Sequence, residues 1–397
     1  MIIHRASDGE ELYGIAHGYG IAPSILREAV GADGVKKFNG GRELIIPTAT
    51  RTYSVRVGDT LKGICDRFGV RAETVMALNP ELCGEDRLYQ GQILILKSGA
   101  QNVGIGVNNG YCYPGCTRSR IMRYLPYASF VTVQAARAVG KEIRLDEWDG
   151  ELTELLCARG KIPLLRIYVD KMPSPSEYTD FIRAATLVAK SRGYLGITLA
   201  NLRAESEALK ELVLEARRSA MENELLLVTE GEIGKDVGYT EYSDHAVLTY
   251  DKLHLDKIPT FDEGERKALN DHSGKYEVLG SFVELPAFAL RESGYMPREE
   301  LFAIMDRRGT VITHDDERKI MLIQPRGERI LAESVENTKA KLALVGELGY
   351  MGISFDMLRV PVFELLLVRS MLGEAAGIGS TVRLNCRGED GYSSAAI

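Results

Sequence analysis

The sequence is poor in several features that mark particular classes of protein. It has one tryptophan and six cysteines in 397 residues, and acidic residues outnumber basic ones by 56 to 49. Six cysteines are too few for a disulfide scaffold. A net charge of −7 argues against a nucleic-acid partner, which needs clustered lysine and arginine. Since no apolar run reaches the roughly 20 residues that span a bilayer, a membrane span is not expected either.

The sequence also lacks the usual signals for secretion and for metal binding. The N-terminus lacks the apolar segment and cleavage site of a secretory signal, so synthesis in the cytoplasm is expected. Cys112 and Cys116 are four residues apart, a spacing that suits a metal, a redox pair or two idle thiols, and their role stays open. Four histidines show no ligand spacing: His245, His254, His272 and His314. We therefore expect no metal and no cofactor.

An internal repeat organises the first hundred residues, and its second copy is the clearer one. Alternating apolar residues over 53–57 predict a short strand, and Gly58-Asp59-Thr60 predicts a turn with a helix cap. Apolar residues at helical spacing over 61–68 predict a helix. A second short helix over 74–78 ends at a proline, and a closing strand follows over 93–95. The pattern predicts a βααβ unit of about 45 residues.

The first copy has the same order of strands and helices, but its residues match the pattern less closely. It contains Asp8-Gly9-Glu10-Glu11-Leu12 at the strand–helix turn and a closing segment over 40–47. Both copies resemble LysM modules, and the segments Val57–Leu61, Leu78–Pro80 and Gly91–Gln92 carry that resemblance. We place the modules at residues 1–49 and 50–98.

The LysM resemblance implies binding of N-acetylglucosamine-containing glycans, such as peptidoglycan or chitin, in a shallow groove. The groove lies between the first strand–helix turn and the turn after the second helix. Linked weak sites would raise the avidity. The implied glycan-binding residues are Gly58, Asp59, Thr60, Leu61, Leu78, Asn79 and Pro80 in the second copy and Gly9, Glu10 and Leu12 in the first. The alternative is that these residues serve only as turns and caps.

Beyond a polar linker near 98–102, strands alternate with longer helical segments. This pattern predicts an α/β fold, and eight strands over 99–373 fit a (β/α)8 TIM barrel. A small α+β insertion is predicted at 293–324, and residues 374–397 are expected to form a flexible tail. The predicted strands are Val103–Val107, Phe130–Gln134, Pro163–Tyr168, Leu195–Ala200, Leu225–Thr229, Ala246–Tyr250, Val278–Phe282 and Met351–Phe355.

Three segments give the barrel a more specific resemblance. Asn109–Pro114 follows strand one, Leu248–Asp251 lies on strand six, and Lys339–Ser354 covers the last helix and strand eight. Together they resemble the glycoside hydrolase family 18 domains that follow tandem LysM modules in bacterial spore germination and cortex-lytic proteins. The resemblance covers about residues 1–373. It implies a barrel pocket that includes Tyr111, Tyr250, Asp251, Phe355 and Asp356.

The resemblance fails at the catalytic motif. Active members carry two aspartates and a glutamate at the end of strand four, where this chain has Thr198, Ala200 and Leu202. In that family the glutamate protonates the glycosidic oxygen and the last aspartate orients the substrate's acetamido group. Losing general acid catalysis alone removes roughly 10²–10⁴ in rate. The aligned residues cannot perform either step.

Other positions do not restore the missing chemistry. The family usually places a tryptophan at the end of strand eight, but the one tryptophan here is Trp148, after strand two. Asp251 beside Tyr250 is the best surviving acid. We expect a cell-wall or spore-envelope protein that binds peptidoglycan or a similar glycan through LysM modules and carries an inactive barrel. The alternatives are an N-acetylglucosaminidase with relocated acids and an interaction scaffold that binds spore coat proteins.

Overall fold

The computed structural model describes most of the 397-residue chain. The described residues are 1–31, 35–82, 88–98, 107–249, 263–285, 287–372 and two short strands, Leu384–Cys386 and Ser393–Ala395. The two short strands pair antiparallel within the segment predicted as a flexible tail.

Eight parallel strands close into a barrel, which confirms the predicted fold class. Barrel strands 2 to 8 pair in sequence, strand 8 pairs with strand 1, and strand 1 pairs with strand 2. This closure leaves no barrel strand with an unpaired edge. Barrel strands 1 to 8 are Asn109–Cys112, Phe130–Val139, Ile162–Lys171, Gly196–Ala200, Leu226–Glu232, His245–Thr249, Ser281–Glu284 and Gly352–Asp356.

Several strand bounds differ from the prediction. Barrel strand 1 runs over Asn109–Cys112 rather than 103–107; residues 103–106 lie outside the described part of the chain. The apolar alternation over 103–107 misplaced this strand, because the true strand contains no aliphatic side chain. Barrel strand 2 extends to Val139, since beyond the barrel it pairs antiparallel with Glu142–Leu145. This hairpin turns at Gly140, whose φ of 59° suits glycine.

Helices surround the barrel and bury its outer face. Ile197 and Leu199 on barrel strand 4 pack in the same core cluster as Phe181 and Leu212 on the flanking helices. The inner cluster is separate and contains Phe130, among others from most strands. The flanking helices are Arg118–Tyr124, Leu152–Ala158, Tyr178–Ser191, Ser206–Glu222, Glu263–Lys275, Val335–Glu347 and Leu365–Leu372.

The insertion between barrel strands 7 and 8 is a five-stranded antiparallel sheet with one helix, Arg298–Met305. It spans residues 288–333 and is wider than the predicted 293–324. The prediction missed the first and last strands along the chain because each has only four residues, too short for a clear alternation. The strands are Phe288–Arg291, Gly294–Pro297, Val311–Asp315, Ile320–Gln324 and Ile330–Glu333.

Two βααβ units precede the barrel and are called here the first unit and the second unit. In each, the two strands pair antiparallel beneath two helices. The first unit contains Ile2–Arg5, Leu12–Gly18, Pro23–Val30 and Glu43–Ile46. The second contains Ala49–Ser54, Leu61–Phe68, Ala72–Leu78 and Ile93–Ser98. The opening strand of the second unit begins at Ala49, before the predicted Tyr53, because it pairs along the whole closing strand.

A buried asparagine joins the second helix of the second unit to its closing strand. The Asn79 side-chain amide donates to the carbonyl oxygens of Val75 at 2.6 Å and Ile95 at 2.9 Å. Its oxygen accepts from the Ile95 amide at 2.8 Å. The residue is 2% exposed, so these three bonds replace water for backbone groups that would otherwise be buried without partners.

Both units are fixed to neighbouring parts of the chain. The Tyr127 hydroxyl, next to the barrel, donates to the Ala77 carbonyl of the second unit at 2.6 Å. Ile25 of the first unit packs with Leu78 and Ile95 of the second in a small apolar cluster. The end of the second unit's second helix is therefore covered on two sides.

Barrel closure should be sensitive to Gly352 at the start of barrel strand 8. A Cβ at this position would lie 2.0 Å from the carbonyl oxygen of Val107, a backbone atom that cannot move freely. We expect Gly352→Ala to lower the free energy of unfolding by more than about 3 kcal/mol, as overpacking does at its upper end. Gly274→Ala is the control, since its Cβ meets nothing within 4 Å on a helix. Urea unfolding followed by circular dichroism should show equal or higher stability for the control.

Asn79→Ala should destabilise the second unit by about 2–4 kcal/mol, because the Ile95 amide and carbonyl would remain buried without partners. Thermal and urea unfolding of the full chain measure this loss. The matched control is Asn223→Ala, which removes one bond of 2.8 Å from a half-buried amide to Ser219. An equal effect of the two substitutions would contradict a bracing role for Asn79.

Candidate functional site

The predicted glycan-binding turn of the second unit is built around an inward-facing carboxylate. Asp59 accepts hydrogen bonds from the Arg56 amide at 2.8 Å and the Tyr53 hydroxyl at 2.7 Å, and Arg67 lies 3.5 Å away. The hydrogen bonds from Tyr53 and Arg56 lower the pKa of Asp59. Thr60 caps the following helix by accepting from the Gly63 amide at 3.0 Å. The acid therefore shapes the turn.

The first unit contains the same arrangement with different residues. Glu10 accepts from the Ser7 amide at 2.8 Å and contacts the His4 ring at 3.1 Å. The other ring nitrogen of His4 lies 3.0 Å from the Tyr19 hydroxyl. The hydrogen bond from the Ser7 amide lowers the pKa of Glu10. Each unit thus holds its strand–helix turn by a carboxylate that accepts from the amide three residues earlier.

The remaining predicted residues of these turns divide into exposed glycines and buried leucines. Gly9 and Gly58 both adopt left-handed backbone angles, with φ of 75° and 82°, and both lie at the surface. Leu12 and Leu61 are each 1% exposed and belong to the cores of their units. The leucines therefore contribute packing to the turn and have no surface for a ligand.

The predicted opposite edge of the second unit's groove is not open. Leu78 and Asn79 are 4% and 2% exposed, and Pro80 is buried as well. Leu78 packs against the first unit and Asn79 is bonded internally, so these side chains cannot contact a glycan in this structure. The prediction for these three residues is corrected to a structural role.

The structure places two large exposed side chains that the sequence interpretation missed. Val57 and Tyr89 are 80% and 69% exposed. Their turns are adjacent, because the Val55 amide donates to the Gln92 carbonyl at 2.8 Å and the Gly91 amide donates to the Val55 carbonyl at 2.9 Å. Val57 stands immediately before Gly58 and Tyr89 stands two residues before Gly91, a signal that the sequence did contain. We call Val57 and Tyr89 the exposed turn pair.

At the barrel, the three positions where the family resemblance implies catalytic acids are occupied by small or apolar side chains. Thr198 and Ala200 are fully buried, and Thr198 pairs in register with Arg166 and Val228 on the neighbouring strands. Because residues paired in register face the same side of a sheet, Thr198 faces the barrel interior. Leu202 lies beyond the strand end, half-buried, and packs against the large core cluster rather than the inner one.

An ion pair lies in the barrel interior beside Thr198. Two nitrogens of Arg166 donate to the two carboxylate oxygens of Glu230 at 2.6 and 2.7 Å. Arg166 also bonds the side chain of Gln134, and the Tyr111 hydroxyl donates to Glu230 at 2.7 Å. The side chains of Arg166 and Glu230 are 12% and 7% exposed. No sequence motif predicted this pair, whose members lie 64 residues apart.

Three tyrosine rings enclose the guanidinium group. The centroids of Tyr111, Tyr113 and Tyr168 lie 5.3, 6.0 and 5.4 Å from the central carbon of Arg166. Burial, and then the charge of Glu230, raise the pKa of Tyr111. Glu230 accepts from two guanidinium N–H groups and from a phenol. In this arrangement it is a hydrogen-bond acceptor and directs no proton at a substrate.

Barrel strand 8 contributes one of its two predicted pocket residues. Asp356 is 5% exposed, accepts from the Leu358 amide at 2.7 Å and pairs with Arg359 at 2.5 Å. Burial raises the pKa of Asp356, and Arg359 opposes this shift. Phe355 was predicted to line the pocket, but its ring lies 6.1 Å from that of Tyr124 on a flanking helix. Alternation along the strand turns it outward.

Other predicted positions are less informative. Tyr250 and Asp251 lie outside the described residues. Trp148 donates from its ring nitrogen to the Gln134 carbonyl at 2.8 Å and is packed at the rim. In the described part of the chain no three His, Cys, Asp or Glu side chains are grouped to hold a metal, and no helix there is long and apolar enough to cross a membrane.

Comparisons with known proteins agree with this architecture. Residues 53–97 match the model of the LysM domain. The spore cortex-lytic enzyme SleL of Bacillus megaterium QM B1551 is similar in structure, with a TM-score of 0.70 at 15% identity over 93% of this chain and 97% of that one. SleL of Bacillus cereus gives 0.68 at 16% identity over 93% and 98%.

Chitinases match the barrel part. The chitinase of Chromobacterium violaceum ATCC 12472 gives a TM-score of 0.60 at 13% identity over 67% of this chain and 99% of that one. No curated protein sequence matches the chain. Residues 53–97 are therefore a LysM domain, and the chain as a whole has the fold of the SleL spore cortex-lytic enzymes, with a barrel like that of the glycoside hydrolase family 18 chitinases.

Proposed function

We propose that the chain binds N-acetylglucosamine-containing glycans of a cell wall or spore envelope through two LysM modules and does not cleave them. The first module corresponds to residues 1–49. Its assignment is supported by the carboxylate-anchored turn that Glu10 shares with Asp59 of the second unit. The same hydrogen bond, from the amide three residues earlier to the carboxylate, at the same place in two βααβ units indicates a common module.

The exposed turn pair supplies a contact surface on the second module. Tyr89 offers a ring that is apolar on its faces and polar at its hydroxyl, which suits a sugar with both C–H and O–H surfaces. Val57 adds apolar area beside it, next to the exposed backbone of Gly58. Both side chains are largely exposed, whereas Leu78 is buried.

The observation that supports an inactive barrel is the Arg166–Glu230 pair beside Thr198. Hydrolysis in the similar family requires an acid that can give a proton to the glycosidic oxygen. The chain has no carboxylate at 198, 200 or 202, and Glu230, an interior carboxylate beside Thr198, is bonded to the guanidinium group of Arg166. We assign the barrel a binding or scaffolding role.

The likeness to cortex-lytic enzymes supports a spore location for this function. We propose deposition at the spore cortex or coat, with coat proteins as further partners of the barrel. The competing function is an N-acetylglucosaminidase that uses a relocated acid, either Asp251 or Glu230. The two functions predict different outcomes when the chain meets its glycan.

Retention on insoluble peptidoglycan and on chitin tests the binding surface. The full chain should sediment with the glycan, and Val57→Ser with Tyr89→Ala should weaken retention roughly fivefold or more, the scale of a central aromatic contact. The matched control is Leu187→Ser, an equally exposed apolar residue on a barrel helix. Equal losses in both variants, or a native chain that stays in the supernatant, would refute the assignment.

Incubation with muropeptides and N-acetylglucosamine oligomers tests the inactive barrel. We expect no new reducing ends from the native chain. Turnover that disappears with Asp251→Asn or Glu230→Gln, while the circular dichroism spectrum is unchanged, would establish the relocated-acid function instead. Combined Thr198→Asp, Ala200→Asp and Leu202→Glu should recover little activity, since misplacement by about 1 Å already costs about 10²-fold. New buried carboxylates should also lower its stability.

A further inference from the structure

The first unit is docked on the insertion through its closing turn. The Asn39 side-chain amide donates to the carbonyl oxygens of Met305 at 2.7 Å and Arg307 at 2.8 Å. Arg42, which is fully buried, donates to Asp306 at 2.9 Å. The equivalent turn of the second unit carries the exposed Tyr89. Docking therefore distinguishes two units that otherwise share one design.

A buried carboxylate lies at the centre of this interface. Glu43 is 1% exposed, and its Oε2 accepts from the Val335 amide at 2.6 Å. Its Oε1 has no hydrogen bond, although the His314 Nδ1 lies 3.6 Å away and an Arg5 nitrogen 3.7 Å away. A buried carboxylate oxygen without a hydrogen bond is costly.

The histidine opposite Glu43 has a fixed tautomer when it is neutral. The Nε2 of His314 lies 2.6 Å from the carbonyl oxygen of Gly41, which can only accept, so Nε2 must carry a hydrogen. In the neutral ring Nδ1 then has none. Nδ1 and the Glu43 Oε1 would face each other as two acceptors, and both are buried without a hydrogen bond. One added proton turns this repulsive contact into an attractive one.

We propose that Glu43 and His314 share one proton and act as a pH-sensitive latch that holds the first unit on the insertion. With the proton present, the pair is either an imidazolium beside a carboxylate or a neutral ring beside a carboxylic acid. Without it, a buried negative charge faces a bare ring nitrogen. Loss of the proton weakens the docking of the first unit and frees its closing turn.

The other charges near the pair are largely committed to partners. Arg5 is 40% exposed and bonds Asp316 at 2.7 Å, and its ion pair with Glu43 is longer, at 3.7 Å. Arg298, the third cation near Glu43, donates to both oxygens of Glu364 at 2.9 and 3.0 Å. Further along the same interface, buried Lys341 and Glu333 pair at 2.9 Å. His314 is therefore the group best placed to balance Glu43.

The direction of the pH dependence follows from where the last proton resides. In an undocked chain the last proton of the pair is on the histidine, whose ordinary pKa is about 6.5. In the docked chain the unprotonated pair is a buried charge 3.6 Å from a bare ring nitrogen, so the docked pair retains its last proton more readily. Burial raises the pKa of Glu43 in the same direction, while the Val335 hydrogen bond and the nearby cations oppose this. A raised pKa in the docked state gives a stabilisation that is present below about pH 6.5 and lost as the pH rises through the higher value of the pair.

Hydrogen exchange of the full chain tests the latch at strands Glu43–Ile46 and Val311–Asp315. We expect protection there, corrected for intrinsic exchange, to fall about tenfold between pH 6 and pH 8, the effect of a shift of one pKa unit. Glu43→Gln should abolish this fall, because its oxygen can still accept from Val335 while its amide donates to neutral His314. His17→Gln, an exposed histidine of the same unit, should behave as the native chain does.

The side-chain carboxyl signal of Glu43 in ¹³C-labelled protein gives an independent measurement. This signal, assigned as the one lost in Glu43→Gln, should titrate above the ordinary range of a glutamate, because burial raises the pKa of Glu43. Equal protection at pH 6 and pH 8 in the native chain would overturn the proposal. An unchanged pH dependence in Glu43→Gln would do the same, whatever the glycan-binding result.

Discussion

A buried ion pair connects the strands in the interior of the barrel. Arg166 and Glu230 join barrel strands 3 and 5 across Thr198 and bring Tyr111 into the same network. Two desolvated charges stabilise a fold only when the geometry is good and the remaining hydrogen-bonding groups are satisfied. Here two parallel bonds, a phenol and an amide meet that requirement. Removal of one partner would leave an uncompensated buried charge, so neither residue can change without its partner changing too.

The two N-terminal units show how one local design supports different surfaces. A carboxylate fixes the strand–helix turn in each, through Glu10 and through Asp59. The closing turns diverge. In the first unit Arg42 is buried against the insertion, whereas in the second Tyr89 is exposed. Module structure therefore depends on local bonds, while availability to a ligand depends on which turn the rest of the chain covers.

Much of this architecture could be predicted from the sequence because it rests on local patterns. Apolar periodicity located seven barrel strands to within a few residues and revealed the repeat. The same patterns say nothing about partners that are distant in the chain, so the Arg166–Glu230 pair was not predicted. They also could not distinguish Asn79 as a brace from Asn79 as a ligand contact, since both uses require the same amide. Phe355 was misassigned because its face depends on register, which one strand alone does not reveal.

The bond between Tyr127 and Ala77 has a mechanical consequence. It holds the LysM domain against the barrel, and in this arrangement the domain does not search space independently as a module on a flexible linker does. If the exposed turn pair binds a glycan strand as proposed, the orientation of the whole molecule relative to that strand would be set. In a cell wall made of parallel glycan strands, every bound copy of the protein would then have the same orientation, with the barrels aligned in one direction.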